Sequence, residues 1–78
     1  MRGLDLGERV VIGMRRRDGL PLEFTWRGRR HRVREATTAR AGARSGLRCR
    51  TESGLRCLLA HDPAAGVWIL ERIFSSGG

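Results

Sequence analysis

Lysine, asparagine, glutamine and tyrosine are absent from this chain, and every basic side chain is an arginine. A GC-rich coding bias accounts for arginine in place of lysine. It does not account for the excess of base over acid, because aspartate and glutamate remain available. Sixteen arginines stand against eight carboxylates, a net charge of +8. On a domain this small, such an imbalance points to a polyanionic partner, most often nucleic acid. An acidic protein surface is the competing partner.

Long apolar runs are also missing. None approaches the roughly 20 residues of a membrane-spanning helix, and the segment from Met1 to Gly7 lacks the apolar centre of a secretory signal. The expectation is a cytoplasmic domain, with nucleoid association if the partner is DNA. Aromatics number only four: Phe24, Trp26, Trp68 and Phe74. With 78 residues the chain has room for one domain. A domain of that size buries about 60% of the surface its unfolded chain exposes. Its core is therefore thin and needs most of the large side chains.

Short alternating runs punctuated by glycine dominate the chain. In Glu8–Met14, Val10, Ile12 and Met14 alternate with Arg9, Val11 and Gly13, the two-residue period of a strand. Asp18-Gly19 reads as a turn. Leu22, Phe24 and Trp26 then alternate with Glu23 and Thr25, and Arg27-Gly28 fits a two-residue hairpin turn. Pairing about that turn sets Trp26 against Arg29, Phe24 against His31 and Leu22 against Val33 on a largely apolar face. Thr25 meets Arg30 and Glu23 meets Arg32 on a charged one.

A further hairpin joins Leu47–Thr51 to Leu55–His61 through Glu52-Ser53-Gly54. Its register puts Cys49 opposite Cys57. Leu47, Cys49, Leu55, Cys57 and Leu59 share one face; Arg48, Arg50 and Arg56 share the other. Asp62–Gly66 is a turn that leaves the next register open by one residue. Val67–Phe74 is apolar on both faces, as an enclosed strand is, with Trp68, Leu70 and Phe74 on one and Val67, Ile69 and Ile73 on the other.

No helical stripe competes with this pattern. The expected fold is all-β: a small antiparallel meander of five to six strands, curled into a barrel or half-barrel. Residues 1–7 read as a flexible N-terminus, residues 8–74 as one β domain, and residues 75–78 as a disordered tail. Within the domain, Ala36–Gly46 is small and polar, and reads as a mobile connector or one weak helical turn.

Cys49 and Cys57 have neither the spacing of a zinc knuckle nor, in a cytoplasmic setting, the redox environment of a disulfide. A site shared with His31 and His61 is a weaker reading than two buried hydrophobes on an apolar face. No metal or cofactor is expected. The histidines have no carboxylate and nucleophile arranged beside them, the serines lie in loops or the tail, and no glycine-rich loop is built to cradle phosphate. The reading is of a non-enzymatic module.

The arginines that carry the binding hypothesis fall in two hairpins: Arg27, Arg29, Arg30, Arg32 and Arg34 in one, Arg48, Arg50 and Arg56 in the other. Arg50 and Arg56 face each other across the strands. Like charges so placed cost several tenths of a kcal/mol, and phosphate is a plausible counter-charge. Trp26, beside the hairpin turn, is the aromatic best placed to stack on a base.

The segments Phe24-Thr25-Trp26-Arg27-Gly28-Arg29, Arg48-Cys49-Arg50-Thr51 and Gly66–Phe74 resemble a small uncharacterised domain family common in actinobacteria. That family occurs alone and at the C-terminus of ImuB-type proteins, the inactive Y-family polymerase relatives of mutagenic repair. The shared pattern is a valine-rich first strand, an aromatic-x-Trp-x-Gly hairpin and a terminal Trp-x-Leu-Glu-Arg strand, over about three quarters of the chain. The resemblance implies a link to DNA repair and brings no catalytic residue with it. The chain departs from the family in Ala36–Gly46, which has no tryptophan, and at Cys49, which stands in place of an aromatic.

Overall fold

The computed structural model describes residues 3–74. Six antiparallel strands follow in sequence: β1 (Gly3–Arg15), β2 (Pro21–Trp26), β3 (Arg29–Ala41), β4 (Arg44–Thr51), β5 (Arg56–Asp62) and β6 (Val67–Phe74). Each pairs with the next, and β6 returns to β1, which closes the barrel.

The turns after β1, β2, β4 and β5 form where the sequence places them, while the turn at Gly42-Ala43 between β3 and β4 is unexpected. Arg27 and Gly28 both adopt positive φ, at 51° and 75°. Two successive left-handed residues define the hairpin turn whose twist matches that of the strands it joins. Trp26 then pairs with Arg29, Phe24 with His31 and Glu23 with Arg32. The hairpin between β4 and β5 sets Cys49 opposite Cys57 and Arg50 opposite Arg56. Thr51 closes its loop by donating its amide to the Leu55 carbonyl and accepting the Leu55 amide at its hydroxyl. Across the 62–66 turn the register resolves as Asp62 with Val67 and His61 with Trp68.

Closure depends on bulges. β1 and β3, at 13 residues each, serve two neighbours. β1 pairs with β6 through Gly3–Val10 and with β2 through Val11–Arg15. β3 passes from β2 to β4 between Arg32 and Val33. Extra residues interrupt the ladders at Leu6-Gly7, Gly13, Leu22, Arg34 and Glu71. Each bulge bends its strand and increases the local twist, and each reverses the alternation beyond it.

The structure makes four corrections. Ala36–Gly46 is neither a mobile connector nor a helical turn. It is the distal part of the β3–β4 hairpin, with Ala36 against Cys49 and Ala41 against Arg44; at Gly46 the β5 backbone lies so close that a Cβ would not fit. Gly3–Gly7 is not a free N-terminus but the first half of β1, held on β6 by Gly3–Phe74, Leu4–Ile73 and Asp5–Arg72. Val33 faces Thr51, not Leu22, because β3 has already passed to β4. Phe74 leaves the Trp68 and Leu70 face because Glu71 is the bulge residue, and Ile73 packs on the core in its place. The same effect at Gly13 leaves Met14 54% exposed while Val10 stays buried. The expected tail, 75–78, lies outside the described residues, as do residues 1–2.

The core comprises Val10, Phe24, Leu47, Cys49, Cys57, Leu59, Trp68 and Leu70. Both thiols are buried and free, as the alternation requires. The Cys49 thiol donates to the Leu47 carbonyl, and Cys57 is held far above the ordinary thiol range by its hydrogen bond to Cys49 and by burial.

His31 is 8% exposed, stacked 5.2 Å from Phe24, with no partner for its Nε2. Burial, and then the charge of Arg29, holds its pKa below the ordinary value. Below about pH 6.5 the unfolded chain therefore takes up a proton at this residue that the folded core resists. Stability from His31 is complete above that pH and declines as the pH falls toward the folded-state value. Urea unfolding between about pH 7.5 and pH 5 is expected to show this decline. His31→Phe is expected to flatten it, and an unchanged profile in the variant would assign it to another group.

Candidate nucleic-acid interface

On the outside of the barrel, β4 carries Arg48 and Arg50 on either side of the buried Cys49. Arg48 lies between Thr37 of β3 and Leu58 of β5, and Arg50 between Glu35 and Arg56. Arg56 in turn faces Phe74 at the end of β6. Glu35, Thr37, Arg48, Cys49, Arg50, Arg56 and Phe74 line an open pocket of about 210 Å³. The Arg48 guanidinium sits 5.0 Å from the centre of the Phe74 ring and that of Arg72 5.8 Å from it. The aromatic ring is thus half-buried among cations, where its quadrupole attracts them.

Ion pairing decides which arginines keep an uncompensated charge. All eight carboxylates of the chain are taken up: Asp5 by Arg72, Glu8 by Arg27, Asp18 by Arg16, Glu23 by Arg30, Glu35 by Arg50, Glu52 by Arg32, and Asp62 and Glu71 together by Arg44. Arg50 therefore meets its repulsion from Arg56 with a hydrogen-bonded ion pair to Glu35. Arg9, Arg15, Arg17, Arg29, Arg34, Arg40, Arg48 and Arg56 have no carboxylate partner among the described residues. Within the pocket the free charge is that of Arg48 and Arg56.

The other candidates occupy a different place. Glu8 accepts the Trp26 indole N–H at 2.9 Å and both the Nε and an Nη of Arg27, and the Arg27 guanidinium lies 4.8 Å over the indole. The hydrogen bonds from Arg27 and then Trp26 hold the Glu8 carboxyl below the ordinary carboxylate range. This clamp holds Arg27 at a left-handed φ that costs a non-glycine residue roughly 1–2 kcal/mol. Trp26, expected as a stacking aromatic, packs against the core with its only donor engaged. Trp26, Arg27 and Arg29 line a second pocket with His31 and the Ser53–Leu55 turn. Arg30 lies along Glu23 and Arg32 reaches Glu52. Arg34 is the bulge residue, next to Glu35.

The nine sequence candidates thus divide. Arg48, Arg50 and Arg56 come together in one pocket, Trp26, Arg27 and Arg29 in another, Arg30 and Arg32 are engaged by carboxylates, and Arg34 stands apart as the bulge residue of β3. Phe74 joins the first pocket although its strand pattern assigns it to the interior; only the bulge at Glu71 turns it outward, and no turn residue marks that bulge. Among the described residues, no three His, Cys, Asp or Glu side chains gather as metal ligands.

Comparison with family models, with curated proteins and with solved structures finds no match for this chain. What fold and site define is a class: a closed six-stranded barrel with an aromatic-bearing cationic pocket on its outer face.

Proposed function

We propose that this chain is a small, non-catalytic nucleic-acid-binding module that grips phosphates through arginine with little sequence readout. The observation that carries this reading is the pair Arg48 and Arg56, which share one pocket and have no carboxylate partner among the described residues, the pocket's own acid, Glu35, being held by Arg50. A phosphate there would meet two guanidinium groups able to donate charge-assisted, bidentate hydrogen bonds. It would also turn the repulsion among Arg48, Arg50 and Arg56 into shared attraction. A cytoplasmic location and a role in DNA repair extend the reading through the resemblance to domains that end ImuB-type proteins. The same charge would serve an adaptor that docks on an acidic protein. Docking by strand addition needs an open edge; although the strand order closes on itself, Gly3–Val10 of β1 pairs only with β6 and Val33–Ala41 of β3 only with β4, so the adaptor reading keeps two short edges to use.

Fluorescence anisotropy with labelled DNA and RNA oligonucleotides at several salt concentrations tests this. Binding by the parent is expected to fall linearly with log salt. In Arg48→Ser/Arg56→Ser it is expected to weaken for every sequence, with a slope shallower by about one per lost phosphate contact. Folding should be preserved, since neither residue is ion-paired and Arg56→Ser relieves the contact with Arg50. A parent without salt-sensitive binding overturns the reading in favour of the adaptor.

A further inference from the structure

We infer that the Arg48–Arg56–Phe74 pocket takes an unpaired nucleotide, its phosphate on the two arginines and its base in the stack formed by Arg48 and Phe74, so that the module selects single strands over duplex. The inference rests on the nucleic-acid reading above and specifies its ligand.

Phosphate recognition alone requires only cations and amide donors. This pocket also holds an aromatic ring, half-buried at the end of β6, with a guanidinium 5.0 Å from its centre. Guanidinium planes and phenyl rings are the two protein surfaces on which bases stack. A duplex hides the faces of its bases within its own stack and presents only phosphates and groove edges, so it has no use for the ring. The two arginines near Phe74 differ in freedom. Arg72 is bound to Asp5 at 3.3 Å, whereas Arg48 has no carboxylate partner among the described residues. Arg48 is therefore the one able to move aside and re-stack when a base enters. Glu35, held on Arg50 at the rim, adds a negative charge that a single flexible strand can skirt. Two rigid backbone tracks cannot avoid it as readily.

The test compares three labelled probes of equal length at one salt concentration: oligo-dT, an abasic oligonucleotide with the same phosphates, and a hairpin duplex. The parent is expected to bind oligo-dT about tenfold more tightly than either of the others, the scale of one base–aromatic stack. Phe74→Leu is expected to erase that preference while leaving the duplex affinity and the salt slope unchanged; Phe74→Tyr is expected to retain it. A thermal melt checks folding, and if Phe74→Leu does not fold, the parent's abasic comparison and Phe74→Tyr still decide. Equal binding of all three probes by the parent overturns the inference and leaves phosphate binding standing. The absence of salt-sensitive binding to any probe fails the underlying reading instead.

Discussion

Trp68→Ala is expected to destabilise the barrel by roughly 3–5 kcal/mol, the usual cost of removing a buried aromatic ring. Trp68 is 8% exposed, pairs with Val10 on β1 and His61 on β5, and stacks on the His61 ring with centroids 4.7 Å apart. It therefore fastens the seam where β6 returns to β1. A chain of this length commands roughly 4–12 kcal/mol in all, so the loss is a large share of the total. The thermal midpoint is expected to fall by tens of degrees, at about 4–8 °C per kcal/mol. The indole N–H has no partner in the core, so the ring contributes by packing rather than through a hydrogen bond. Trp68→Phe removes that unpaired donor with only part of the ring and should cost much less than the alanine variant. A melt shifted by only a degree or two in Trp68→Ala would show that the ring is not a core element.

The contrast between Trp68 and Phe74 shows how much of the fold was legible in the sequence. Trp68 and Leu70 precede the bulge and lie inside, as a two-residue period requires. Phe74 follows it and lies with Arg72 outside. Period-two reasoning holds along an uninterrupted ladder and reverses at each inserted residue. Glycine, aspartate and proline announce turns because the backbone conformation demands them. Insertions such as Arg34 and Glu71 require no special residue, so nothing in their composition marks them. The Ala36–Gly46 segment was obscure for a different reason. Its pairing is decided by what lies beneath it, not by any β-propensity of its own.

The candidate site was legible in the same proportion. Alternation about Cys49 and Cys57 placed Arg48, Arg50 and Arg56 on one outer face, where they are found. Charge counting could not say which arginines would be neutralised, since that depends on partners distant in sequence: Glu8 with Arg27, Glu35 with Arg50, Asp5 with Arg72. The hydrogen bond that ties Trp26 to Glu8 is another such contact.

Gly46→Val is expected to be the most disruptive substitution in the β3–β4 hairpin, although it creates no cavity. A Cβ at Gly46 would stand 2.5 Å from the carbonyl oxygen of Leu59 and 3.6 Å from the Cα of Ala60. The obstacle is backbone, so no rotamer change relieves it. Gly46 stands directly opposite Ala60 in the β4–β5 ladder. Arg40–Gly42 face Asp5–Gly7, Leu58, Glu71 and Arg72 around a cavity of about 500 Å³. Arg44 fastens the tip through Asp62 and Glu71, and Ala60 is completely buried even though it alternates with the core residue Leu59. A valine must push β4 away from β5, lift the tip and weaken the Arg44 pairs. Overpacking of this kind costs roughly 1–3 kcal/mol and at times more. The loss is expected first at the tip: limited trypsin digestion should cut after Arg40 and Arg44 in the variant under conditions that leave the parent intact. Ala43→Val, at the exposed tip of the same hairpin, is the control and should stay within about 0.5 kcal/mol of the parent. If Gly46→Val melts with the parent and resists trypsin equally, the close approach of Gly46 to β5 does not hold the hairpin in place. The Arg44 ion pairs would then have to be its anchor, and Arg44→Ala would release the tip where Gly46→Val did not.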